Sequence, residues 1–243
     1  MIDQITSVVG KSIILALGGY FEFFTTHLGE LTRLLIEHVR IAVFTLVIAV
    51  PLGVVLGTIV SVYERAASPI LWAAGIMQTI PSIAFFGLLI PVFGIGTPSV
   101  VIALVLYSQL PIVRNTYIGL TQVNQAAVEA GRGLGMSRFE RLRRVQLPMA
   151  LPVIMAGVRN AVVLVIGIAA IGAFIGAGGL GDYLFQGIRE RNVDMIVVTT
   201  IVLSALALAF DYGLGISARL LRARNGEDVR TTRVTRLLQQ VIA

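Results

Sequence analysis

Charged residues along this chain are spaced so that long uncharged runs stand between them. From Ile41 to Tyr63 there are 23 residues without a charge, and from Ala66 to Val113 there are 48. A helix that crosses a bilayer needs about 20 apolar residues. The first run therefore predicts one span, and the second predicts two spans and a turn. The turn is read at Phe93-Gly94-Ile95-Gly96-Thr97-Pro98-Ser99, where Gly and Pro interrupt the apolar pattern. A fourth span is predicted over about 151–175, with Arg159 inside its start, and a fifth over about 195–217, interrupted by Asp211. The apolar stretch Ser12–Phe21 is too short to cross. Residues 22–40 mix Glu22, Glu30, Arg33, Glu37 and Arg40 with Phe and Leu, a pattern that suits an interfacial amphipathic helix.

Composition agrees with this pattern. Of 243 residues, 56% are hydrophobic and 13% charged, and mean hydropathy is +0.89. A soluble fold would lack the charges to cover that much apolar surface. The expected fold class is an all-α integral membrane protein, a polytopic bundle of five core spans. Its segments are an N-terminal interfacial piece (1–38), a membrane domain (39–217) and a basic tail (218–243). With no Cys and two His, neither metal ligation nor nucleophilic catalysis finds its residues, so no catalytic or metal site is expected.

The net charge of +6 matters through its placement. Arg114, Arg132, Arg138, Arg141, Arg143, Arg144 and Arg159 lie in or beside the loop between the third and fourth spans, and six further arginines lie in the tail. Arg65 follows the first span. The basic side is expected to be cytoplasmic, which puts the N-terminus outside and the C-terminus inside. A basic tail at a membrane suits anionic lipid better than nucleic acid, which is not expected as a partner.

The loop 124–147 is far longer than a connection needs. It reads as two short helices, Ala126–Arg132 and a second running to about Gln146, with Gly133 and Gly135 as the turn between them. Ser137-Arg138-Phe139-Glu140 has the spacing of a capping box. Phe139, Leu142 and Val145 recur on one face, and Arg138, Arg141 and Arg144 on another.

This loop resembles the cytoplasmic signature of ABC-importer permeases: EAA, three residues, G, nine residues, I, one residue, LP. The match is Glu129-Ala130-Gly131, Gly135, Val145 and Leu147-Pro148, with Gly131 and Val145 departing from Ala and Ile. The resemblance implies a type I importer permease whose loop couples to a separate ATPase subunit. It assigns that contact to Glu129, Ala130, Gly131, Gly135, Met136, Phe139, Leu142, Val145, Leu147 and Pro148. The runs MQTIPS (77–82), LLIPVFGIGTPS (88–99), LPIVRNTYIGL (110–120), LPVIMAGVRNAVV (151–163) and FIGAGGLGDYLFQGI (174–188) are similar to the osmoprotectant-uptake branch. That branch implies glycine betaine, carnitine or choline as cargo. It also implies a substrate-binding protein, a second permease copy or paralogue, and a bacterial inner-membrane location. ATP and magnesium would belong to the partner ATPase, since no GxxxxGK[ST] run occurs here. Alternative readings are a methionine or other amino-acid permease and, from another class, a passive channel, which would have no use for a coupling loop.

Polar groups at membrane depth are candidates for the pathway. Gln78, Thr79 and Ser82 flank Pro81 in the second span; Tyr107, Ser108 and Gln109 precede Pro111 in the third; Asn160 lies in the fourth. Arg159 and Asp211 are expected to pair across the bundle. The glycines at 172, 176, 178, 179 and 181 suit close packing or a gate-forming turn rather than a phosphate cradle.

Overall fold

The computed structural model describes residues 17–224, and these are almost entirely helical. The first five residues of the apolar stretch Ser12–Phe21 and the tail beyond 224 lie outside the described residues. A helical stretch, α1, covers 17–26 and turns at His27 into α2 (Leu28–Val62). At 35 residues α2 is about 50 Å long, well beyond a hydrocarbon thickness of about 30 Å. Residues 28–40, read from their charges as an amphipathic helix leading into the first span, are therefore continuous with that span in one helix. Their charges sit three or four apart along one helix: Arg33 donates to Glu30 at 2.5 Å and faces Glu37 at 3.8 Å.

The second expected span is broken. Helices α3 (Glu64–Thr79) and α4 (Ser82–Phe93) meet at an angle of 103°. Pro81 disfavours the helical conformation of the residue before it, and Ile80 is extended at φ −72°, ψ 128°. Pro91 causes no such break and lies inside α4. The predicted turn follows, with Gly94 and Gly96 at φ +83° and +95°. Helices α5 (Thr97–Tyr107) and α6 (Gln109–Thr121) then make one span of 25 residues with a slight interruption at Ser108.

After α7 (Gln125–Gly133) and α8 (Arg138–Arg141) the helix does not end near Gln146. A single π turn, Leu142–Gln146, carries α8 into α9 (Leu147–Gly172), with the Leu147 N–H donating five residues back to Leu142. Proline lacks the N–H that would continue an ordinary α ladder, and the wider turn absorbs the mismatch. A 3₁₀ turn ends α9 at Ala173–Ile175. Helix α10 (Leu180–Glu190) follows, and α11 (Val193–Arg224) completes the described chain. Among the described residues, four helical segments are long and apolar enough to cross a membrane, or five when the bent α3–α4 pair counts as one span.

The core lies where α2, α5, α6 and α9 converge; Leu104, Ile112, Val165 and Phe86 are fully buried there. Small residues set the spacing. A Cβ on Gly57 of α2 would fall 2.5 Å from Thr116 of α6, and one on Gly157 of α9 would fall 2.6 Å from the Pro111 carbonyl of α6. At the far end from α7, the loop after α9 folds against α2: His38 is fully buried, with Nε2 3.0 Å from the Ile166 carbonyl, and its ring lies against Gly179 at φ +81°. Helix α10 was not foreseen from the sequence; its buried Leu180 and Tyr183 pack with Leu31 and Leu34 of α2.

Candidate functional site

Two prolines create a polar junction in the middle of the bundle. Pro111 has no N–H for the carbonyl four residues before it, which is that of Tyr107. That carbonyl instead accepts from Gln78 Nε2 at 3.0 Å. Pro81 holds Ile80 extended, and the Ile80 carbonyl accepts from the Tyr107 hydroxyl at 2.5 Å. Tyr107 thus grips the α3–α4 bend at two points. Phe85 braces its ring edge-on at 5.4 Å between centroids.

Beside this junction are two neighbouring clefts. One, about 310 Å³, is lined by Gln78, Pro111, Arg114, Asn115 and Asn160; the other, about 240 Å³, by Gln78, Ile80, Ser82 and Tyr107. They share Gln78 and Leu164. The glycine contact at 157 brings α9 close enough to α6 for Asn160, one turn on, to reach the first. Of the expected pathway residues, Gln78, Ser82, Tyr107 and Asn160 line them, and Pro81 forms the bend. Thr79 turns to its own helix, donating to Ile76. Ser108 and Gln109 are buried in helix packing, donating to the Val105 carbonyl at 2.8 Å each. Arg114 and Asn115 are additions. The sequence offered Arg114 only as a topological charge, although it ends a run of 48 uncharged residues.

The second feature is the α7–α8 loop. The Asn124 side chain caps α7 by accepting from the Ala126 N–H at 2.9 Å. At its end Gly135, φ +77°, supplies the left-handed residue, and the Met136 N–H reaches back to Gly131 at 3.1 Å, a Schellman arrangement. The capping box is present: the Ser137 N–H and hydroxyl both donate to Glu140 Oε2 at 2.9 Å. Arg141 folds back, its Nη1 donating to the Met136 carbonyl at 2.9 Å. Gly131 is buried beneath it; a Cβ there would sit 3.4 Å from Arg141 Cγ, an ordinary contact.

Glu129 and Ala130 are exposed, and Glu129 has no hydrogen bond or ion pair among the described residues. Arg132, Arg138, Arg143 and Arg144 are exposed along the same loop, as are Phe139, at 68%, and Pro148 at the start of α9. Met136, Leu142, Val145 and Leu147 are half-buried. Phe139 and Leu142 line a groove of about 540 Å³ whose other wall is Val62 at the end of α2 and Leu120 and Thr121 at the end of α6. The loop is therefore joined to α9 covalently and abuts the ends of α2 and α6.

A multi-span bundle with polar clefts at a broken helix and an exposed two-helix loop defines a membrane permease. Residues 8–225 match the family described as binding-protein-dependent transport system inner membrane component, and the chain belongs to that family. It is 39% identical over 200 residues to the choline transport system permease protein OpuBB of Bacillus subtilis, covering 82% of this chain and 92% of that one. It is 44% identical over 189 residues to the osmoprotectant import permease protein OsmW of Salmonella typhimurium, covering 76% and 88%. In fold it is similar to the inward-facing MetNI methionine ABC transporter, with a TM-score of 0.71 at 20% identity over 79% of this chain and 95% of that one. The chain is a permease subunit of an ATP-driven importer, and ATP hydrolysis occurs in separate subunits of such systems.

Proposed function

We propose that this permease imports quaternary-amine osmoprotectants of the glycine betaine, carnitine and choline group across a bacterial inner membrane. The observation that carries the substrate class is the 38–44% identity, over three quarters or more of the chain, to permeases named for choline, glycine betaine, carnitine or osmoprotectant transport. The chain pairs with a second permease copy or paralogue, receives cargo from a substrate-binding protein outside, and is driven by an ABC ATPase that holds ATP and magnesium. Its N-terminus is outside and its C-terminus cytoplasmic, in keeping with the exposed arginines on α7 and α8.

The coupling residues are those of the α7–α8 loop from Glu129 to Pro148. Glu129 is free to accept charge-assisted hydrogen bonds from the ATPase. Phe139 offers an apolar contact beside it. Closure of the ATPase dimer pushes the loop. The push passes directly along α9 through the π turn, and by contact to α2 and α6 across the groove. These helices wall the core beside the clefts, so the motion changes which side the clefts face. Gln78, Ser82, Tyr107 and Asn160 are the pathway side chains, with Pro81 as the bend that moves.

Reconstitution with ATPase and binding protein tests this reading. Labelled glycine betaine or choline should enter vesicles only when ATP and binding protein are both present. Uptake confined to methionine would move the chain to the amino-acid permeases; flux without ATPase would make it a channel.

A further inference from the structure

At the end of the bundle away from the α7–α8 loop, α2 presents two opposite charges that do not meet. Glu37 and Arg40 stand three residues apart, on one side of the helix. Among the described residues Glu37 has Arg33 within ion-pair reach, at 3.8 Å, and Arg33 is itself held by Glu30 at 2.5 Å. Arg40 is exposed and has no ion pair among the described residues. The Glu37 carboxyl is backed by the turn after α9: Gly178, at φ +84°, lies so close that a Cβ there would overlap Oε1.

Between these charges and that turn is a cavity of about 420 Å³, lined by Glu37, Arg40, Ile41, Phe44, Thr97 and Ala177. That size suits a small-ligand site. Its lining divides by depth. Arg40 is the last charge before the uncharged run Ile41–Tyr63, so Glu37 and Arg40 stand at the membrane–water interface, and Ile41 and Phe44 at the edge of the hydrocarbon. Below Phe44 an exposed apolar stripe continues down α2 through Val47, Ile48 and Val55. An occupant with an anion, a neighbouring cation and a hydrocarbon chain matches all three zones. A guanidinium takes a phosphate through its planar fork. A carboxylate takes a primary ammonium through its N–H donors, which a quaternary ammonium lacks.

We propose that this cavity is a site for an aminophospholipid of the phosphatidylethanolamine type, with its phosphate on Arg40, its ammonium on Glu37 and an acyl chain along Phe44. The osmoprotectants proposed above have no chain to cover the apolar zone, and their quaternary nitrogen has no N–H for Glu37. The site is separate from the clefts at the α3–α4 bend and does not depend on which solute is carried. Through Gly178 the headgroup is backed by the turn that joins α9 to α10, so occupancy stabilises that end of the bundle.

The test uses the permease–ATPase complex, purified in detergent, with phosphatidylethanolamine, phosphatidylcholine and phosphatidylglycerol of the same acyl chains added separately. Native mass spectrometry counts the lipid retained. Wild type should retain phosphatidylethanolamine about tenfold or more over either of the others, the range for one charge-assisted hydrogen bond. Arg40→Gln should lower retention of all three, since each carries the phosphate. Glu37→Gln should reduce the preference for the ethanolamine lipid several-fold and leave the choline lipid unchanged. Should Arg40→Gln fail to assemble, Glu37→Gln decides: a several-fold fall in the preference supports the site, and an unchanged preference overturns it. A wild type without the preference, or a preference that neither variant alters, also overturns it. So does displacement of the lipid by excess glycine betaine, which would make the cavity a cargo site. A changed oligomeric state in Arg40→Gln with lipid retention unaltered would make this face a contact with a second copy, and the lipid site would fall.

Discussion

Arg159 on α9 and Asp211 on α11 make a two-point contact: Nε donates to Oδ1 at 2.9 Å and Nη2 to Oδ2 at 2.7 Å. One turn beyond Asp211, Gly215 leaves room for the guanidinium; a Cβ there would lie 3.3 Å from Arg159 Cζ. Removing one partner strands the other charge at membrane depth, while removing both strands neither. Asp211→Asn should lower the melting temperature of the solubilised protein by several degrees. The Arg159→Met, Asp211→Met double variant should be closer to wild type than either single change, the signature of coupled sites. Single and double effects that merely add would show that the pair contributes nothing beyond its parts.

The coupling loop separates contact from folding. Glu129 is exposed and unengaged among the described residues, so Glu129→Lys should leave the bundle intact while abolishing ATP-driven uptake. Unaltered uptake in that variant would remove Glu129 from the coupling surface. Gly131→Ala should be accepted, because its Cβ meets Arg141 and Met136 at ordinary distance, and it should stabilise α7 by about 0.5–1 kcal/mol. Gly57→Ala should do the reverse, since its Cβ would lie 2.8 Å from the Val113 carbonyl, which cannot move without moving α6. Thermal unfolding of the two glycine variants side by side checks the contrast.

Much of this was legible from simple signals. Uncharged runs located the apolar helices, Gly94 and Gly96 located the turn, and Ser137 with Glu140 located a helix start. Each depends on chemistry within a few residues. What escaped depends on partners far along the chain. Pro81 and Pro91 look alike in sequence, but Pro81 marks the break, where Tyr107, 27 residues from Ile80, takes the Ile80 carbonyl. The second loop helix was expected to run to about Gln146, yet a π turn there carries it on into α9. The Glu and Arg residues of 28–40 show an amphipathic pattern, and amphipathicity does not say whether such a stretch is a helix of its own or the first turns of a longer one. Arg114 belonged to a charge tally until the fold set it beside Asn160.

Tyr107 should act as a clamp on the bend. Tyr107→Phe keeps the ring against Phe85 and loses only the bond to the Ile80 carbonyl. An unmade hydrogen bond at a buried carbonyl costs about 1–3 kcal/mol, enough to loosen the α3–α4 angle. ATP-driven uptake should fall several-fold, with assembly and ATPase binding preserved. A phenylalanine variant that transports normally would show that the bend is held by Pro81 and packing alone.

Asp182 on α10 provides a pH test. Burial raises its pKa above the ordinary carboxylate value; the nearby Glu37 raises it further, and Arg33 and Arg189 offset part of this. A carboxyl whose folded pKa lies above its unfolded one favours the folded state most when protonated. That contribution is fully present below the unfolded pKa and is lost as pH rises through the folded value. Asp182→Asn should therefore stabilise the protein at neutral pH and make little difference once pH falls below the ordinary carboxylate range. Because α10 packs on Leu31 and Leu34 of α2, the gain should appear as greater protection of α10 amides from hydrogen exchange. A variant less protected than wild type at neutral pH would mean that the charge of Asp182 is held by Arg33 and Arg189 more strongly than burial opposes it.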